Sequence, residues 1–167
     1  ESIRVAVLGA TFREAPAGTE IILDGATGLD AGGKALAASR IRLVRAERWI
    51  IEAAIPHERG DFSLLGTELI VRLPGGETRR YPLPARLLLD QKGLRLIITS
   101  SVPDYAADSA HAEYGPVKPE EAEALAALRL VILARARQAV RRSGPSEYDI
   151  TDTTAAQRAL EIKAEVV

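Results

Sequence analysis

Cysteine is absent from this chain, which excludes disulfide staples, thiolate nucleophiles and cysteine-built zinc sites. Methionine is absent too, even at position 1. The chain is therefore read as a processed or truncated piece, from which an initiator residue or a secretory signal has been removed. No stretch reaches the ~18 consecutive apolar residues that a membrane-spanning helix needs. A basic surplus is also missing: 22 Lys and Arg face 23 Asp and Glu, a net charge of −1. Nucleic acid is thus not an expected partner, because phosphate binding leaves a positive footprint. There is no internal repeat and no low-complexity linker. What is present is an ordinary soluble composition, 47% hydrophobic and 27% charged over 167 residues, enough to bury the core of one domain.

Hydropathy patterning divides the chain into a β-rich half, residues 1–101, and a helical half, residues 102–167, within a single α+β unit. Ile3 to Leu8 is β-branched, alternating and stopped by Gly9. Glu20 to Leu23 ends at the Asp24-Gly25 turn signal, and a loop rich in Gly, Ala and Asp follows to residue 39. Ile41 to Val44 and Trp49 to Ala54 read as a hairpin around Arg45 to Arg48. Thr67 to Leu73 and Thr78 to Tyr81 form another, because Pro74-Gly75-Gly76 supplies positive φ for the turn. Leu87 to Leu89 and Leu94 to Thr99 flank Asp90-Gln91-Lys92-Gly93 as a third. Short antiparallel strands with turns at regular spacing point to a small sandwich or barrel.

The character changes near Pro103. Asp104 to Ala112 has room for two helical turns. Pro119 suits the first turn of a longer helix, with Glu120, Glu121 and Glu123 at its positive end and Arg135, Arg137, Arg141 and Arg142 towards its negative end. Gly144-Pro145 stops it after about 24 residues, roughly 36 Å. Leu125, Leu128, Ile132 and Ala139 make a stripe that Leu130 and Leu133 broaden, and that breadth predicts burial on more than one side. Ala159 to Val167 reads as a last strand or a helix remnant.

Glu113 is the leading candidate for chemistry. It lies between Ala112 and Tyr114, before Gly115-Pro116, and a carboxyl group in apolar company loses solvation of its charged form. Its pKa then rises, and it can donate a proton near neutral pH, as glycosidic bond cleavage requires. The bland alternative is one more solvated surface carboxylate. His111 lies two positions earlier, about 200° away on a helix, so a surface histidine is expected in place of an acid–base partner. The glycines at 25, 28, 32 and 33 before Lys34 lack P-loop spacing and read as a flexible turn. Arg59-Gly60-Asp61 is too common a tripeptide to carry meaning.

Three segments together resemble the stage II sporulation protein D (SpoIID) family and its amidase-enhancer relatives. That family reads Y-L-x-G-V-V-x-x-E-M-P, then a helix with A-x-A-R-T-Y, then Y-D-x-C-D-T-T-H-C-Q. Here Tyr105 precedes Glu113 by eight residues, Arg135 lies in the segment ILARA, and Tyr148 opens the run YDITDTTAAQ. The resemblance implies an α+β cell-wall domain in which Glu113 is the acid/base of a lytic transglycosylase-type cleavage. In that reaction the sugar's own 6-hydroxyl attacks, so one carboxyl group suffices and a 1,6-anhydro product forms. Arg135, Tyr105 and Tyr148 are the implied substrate-binding residues, and peptidoglycan glycan strands the implied partner, with another cell-envelope protein as a further one. The implied location is the exported cell envelope, and no cofactor is implied.

The departures point to a second reading. Where zinc-carrying relatives have Cys, His and Cys, this chain has Thr151, Ala155 and Ala156, and alanine offers no metal donor. The retained Asp152-Thr153-Thr154 then reads as a self-bonded turn. The family's Thr-Tyr after the arginine is Ala136-Arg137 here. Family members continue with a further β-rich stretch, so the chain reads as C-terminally short. The alternative function is a non-catalytic descendant that binds glycan or scaffolds an envelope assembly.

Overall fold

A computed structural model describes residues 1–36 and 40–151. Two six-stranded sheets face each other around one core. The first has the order β12-β1-β11-β10-β7-β3, from β1 (Ser2–Val7), β3 (Thr27–Leu29), β7 (Gly60–Leu65), β10 (Ala85–Asp90), β11 (Gly93–Ser101) and β12 (Ile150–Thr151). The second has the order β6-β5-β4-β2-β8-β9, from β2 (Glu20–Asp24), β4 (Arg40–Arg45), β5 (Trp49–Glu52), β6 (Pro56–His57), β8 (Glu68–Arg72) and β9 (Thr78–Pro82). All pairings are antiparallel except that of β12 with β1. Among the described residues three α-helices join this sandwich: α1 (Gly9–Glu14), α2 (Val102–Tyr114) and α3 (Ala122–Ser143). The α+β class expected from the patterning is the class observed.

Period-two alternation explains the core. Ile3, Val5 and Val7 of β1 and Leu94, Leu96 and Ile98 of β11 point inward. They meet Ile21 and Leu23 of β2, Ile41 and Leu43 of β4, and Leu69 and Val71 of β8 from the opposing sheet. The outward positions of the second sheet carry matched charges. Arg42 bridges Glu20 and Glu52 on its two neighbouring strands, and Asp24 takes both Arg40 and Arg72. Each such pair contributes little singly but fixes register, since a one-residue slip would bury it.

Two glycines allow the chain to change sheets. Gly25 leads from β2 to β3 at φ +85°, and a Cβ there would sit 2.4 Å from the Glu68 carbonyl oxygen. Gly66 leads from β7 to β8, and its Cβ would lie 2.7 Å from the Gly25 carbonyl oxygen. The two crossings touch, and no larger residue fits either.

All three expected hairpins form, over β4–β5, β8–β9 and β10–β11. Strand β7 lies in a stretch that gave no strand signal: its alternation is only Phe62 and Leu64 inward against Asp61 and Ser63 outward. The loop expected over residues 24–39 holds the short β3, paired with β7. Helix α2 is longer than the two turns expected. The Ser101 hydroxyl caps it by accepting from the Asp104 amide at 3.1 Å, Pro103 occupies its first turn, and Gly115 ends it at φ +77°.

The breadth of the α3 stripe does not translate into burial on several sides. Only Ile132 and Ala136 are buried, and Leu130 is 64% exposed. The helix packs mainly on α2 and touches β1, so a single face is covered. Its Ala, Leu and Arg content is a helix-forming signal that says little about depth. Asp152 to Val167, including the terminal element expected at Ala159 to Val167, lie outside the described residues.

Candidate functional site

Helix α2 carries two of the four expected site residues on one face. Tyr105, Ser109 and Glu113 are spaced i, i+4, i+8 and therefore fall in line. Tyr105 is a core residue, 4% exposed, packed with Val102, Ala106 and Ala110. Burial pushes its phenol pKa up; the neighbouring Ser109 hydroxyl opposes this and the Glu113 charge adds to it. The Ser109 Oγ is itself buried, and it is the polar neighbour that the phenol meets inside the core.

Glu113, one turn further on, is exposed to solvent in the last turn of α2. The apolar company expected of it is absent. The helix turns Ala106 and Ala110 into the core, and the Ala112 and Tyr114 that flank Glu113 are only half-buried. An acid catalyst is expected in a cleft that excludes water around the sugar oxygen it serves, and Glu113 stands on exposed helix surface. The apolar cavity beside it, about 480 Å³ between α2 and α3, is lined by Ala110, His111, Leu125 and Leu133 among others, but not by Glu113. His111 is exposed, as its spacing predicts.

Arg135 is exposed on α3, and no ion pair joins it to Glu113 among the described residues. Tyr148 is half-buried in the segment between α3 and β12. Its neighbours hold that segment down: Glu147 accepts from Arg95 at 2.8 Å, and Asp149 from Arg4. The four residues thus fall into two groups. Tyr105 and Glu113 share one helix face, whereas Arg135 and Tyr148 stand on α3 and on the segment that follows it.

Asp149 is the residue that sequence reasoning underestimated. Its side chain, 3% exposed, accepts from the Arg4 amide at 2.7 Å, from the Arg4 guanidinium at 2.9 Å and from the Ser143 hydroxyl. In return the Asp149 amide donates to the Arg4 carbonyl at 2.9 Å. Burial alone would raise its pKa, but the Arg4 and Ser143 hydrogen bonds outweigh that and hold the carboxyl below the usual range. The aspartate of the YDITDTTAAQ run is therefore a clamp that seats the chain after α3 beside β1. Thr151 is the last described residue of that run; the Asp152-Thr153-Thr154 turn, Ala155 and Ala156 lie outside the described residues.

The glycine-rich segment needs no phosphate to explain it. Asp30 Oδ1 already accepts from the Gly32 and Lys34 amides, at 2.9 and 2.8 Å, in a self-bonded turn. Asp61 of the Arg59-Gly60-Asp61 tripeptide is engaged by Arg86 at 2.6 Å. No helix among the described residues is long and apolar enough to cross a membrane. Compared with family models, with curated proteins and with solved structures, the chain matches none.

Proposed function

We propose that this chain is a peptidoglycan-associated domain of the SpoIID type that engages glycan strands, or an envelope partner bound to them, without cleaving them. The spacing of Tyr105 and Glu113 and the YDITDTTAAQ run support the family reading. The exposure of Glu113 carries the choice of a binding role over a catalytic one, because an acid catalyst has to hold its proton where the sugar oxygen leaves. The role of Asp149 as a clamp fits the same view, since it assigns part of the resembling run to folding. The domain would act outside the cytoplasm, where its ligand lies.

One observation favours the catalytic alternative: Glu113 is close enough to the buried Tyr105 for its charge to act on the phenol. A substrate laid over α2 would exclude water from both and supply the missing desolvation. Co-sedimentation with purified peptidoglycan tests the binding role. The chain should pellet with the sacculi in moderate salt, and Glu113→Gln should pellet equally. A protein that stays in the supernatant contradicts the proposal.

A further inference from the structure

The end of the sandwich remote from the start of α2 holds the larger cavity, about 680 Å³. Register places it there. Val7 of β1 pairs with Leu96 of β11, so α1 follows at the Gly93 end, whereas Ser2 pairs with Ser101, where α2 begins. Four segments converge around the space: α1, the β4–β5 turn, the β6–β7 turn and the β10–β11 turn. The floor is rigid. Trp49, 2% exposed, meets Phe12 edge to face at 5.7 Å, and its indole N–H donates to the Phe12 carbonyl at 2.9 Å.

The walls are cationic, and their cations differ from the arginines along the sheets. On both sheets arginines are matched with acids, as Arg42 is with Glu20 and Glu52, Arg80 with Glu68, and Arg95 with Asp90 and Glu147. Around the cavity, Arg13, Arg45, Arg48, Arg59 and Lys92 make no ion pair with any described residue. Arg45 rests over the Trp49 ring at 6.0 Å, which leaves its guanidinium hydrogens free of carboxylate. Three carboxylates share the lining. Asp90 is already taken by Arg95 and by the Lys92 amide, and Glu47 and Glu58 lie on the rim without closing an ion pair. In a chain of net charge −1, five unmatched cations on one concavity are a local excess that solvent alone does not require.

We propose that this concavity is a binding site for a compact oligoanion bearing two or more phosphoryl groups. Guanidinium forks bind phosphoryl oxygens in pairs, and four of the five cations are arginines. The volume exceeds what one phosphate fills and falls in the range of small-molecule sites. The cations stand on four separate segments around the space, an arrangement that suits several linked anionic groups. The proposal is independent of the glycan reading, which concerns the helical side.

The test is calorimetric titration of the whole chain with tripolyphosphate at low ionic strength, with citrate as the polycarboxylate counterpart. Tripolyphosphate should bind saturably and more tightly than citrate. Arg48→Ala/Arg59→Ala alters two exposed turn residues that make no ion pair, and should weaken binding about tenfold or more. Arg141→Ala/Arg142→Ala, in the last turn of α3 and outside the cavity lining, should leave it unchanged. The proposal is overturned by absence of saturable binding, by citrate binding as well as tripolyphosphate, or by equal loss in the two double variants.

Discussion

The sandwich and the helical layer are built on opposite terms. Every long strand sends alternate side chains into a shared interior where exposure is near zero, and cross-strand ion pairs hold outward positions of both sheets. The 22 residues of α3 bury two side chains and leave Leu130 and Val131 open to solvent. One region is defined by what it encloses, the other by a single covered face. The difference teaches that stability resides in the sheets, and that the helical layer, Glu113 included, is a surface laid on them.

Several substitutions would break or sharpen that contrast. The largest effects belong to the sandwich. Leu43→Ala, at a fully buried position of β4, should cost about 2–5 kcal/mol in urea unfolding. Gly25→Ala combines positive φ with a collision against backbone and should cost at least as much as the ~1–2 kcal/mol of the left-handed conformation alone. Gly75→Ala, at the same φ but in open space, should stay near that lower figure. If the two glycine variants unfold at the same urea concentration, close approach at the sheet crossing is not what fixes Gly25.

Asp149→Asn comes next, at about 1–3 kcal/mol near neutral pH. Its effect depends on pH, with a defined sign. The folded carboxyl binds its proton more weakly than the unfolded one, so its stabilisation is present above the ordinary carboxylate range and is lost as pH falls through the lowered value. Asp24, Asp61 and Asp90 titrate in the same direction, so the wild type loses stability steeply in acid. The variant should lose less, and the two urea midpoints should converge as pH falls from about 5 through the lowered Asp149 value. Parallel curves would remove Asp149 from the clamp.

The smallest effect belongs to the outer face of α3. Ile132→Ala should cost about 2 kcal/mol, and Leu130→Ala less than about 0.5. A large loss at Leu130 in dilute, monomeric protein would show that the outer face of α3 is covered after all.

How far the sequence reveals this structure depends on range. Hairpins are legible because turn chemistry is local: Pro74-Gly75-Gly76 sets its own φ values wherever it occurs, and Asp90 to Gly93 closes on itself. The end of α3 at Gly144 is legible for the same reason. Strand β7 is not, because its four inward and outward side chains gain meaning only when β10 and β3 flank it. Depth is not legible either. Leu128, Leu130 and Leu133 look alike on a helical wheel, and only the position of α2 decides which is covered. The spacing of Tyr105 and Glu113 is plain in the sequence, but burial of one and exposure of the other depends on where the helix lies. The clamp at Asp149 joins residues 145 apart, and the cavity cations come from helix α1 and three turns, so neither leaves a contiguous signal.

The most direct test of the binding role set against cleavage uses denuded glycan strands. They are incubated with wild-type protein and with Glu113→Gln, and the soluble products are read by mass spectrometry for 1,6-anhydro ends. The account predicts no such ends above the protein-free control for either chain. Release of 1,6-anhydro products by the wild type, and its loss in Glu113→Gln, would contradict it.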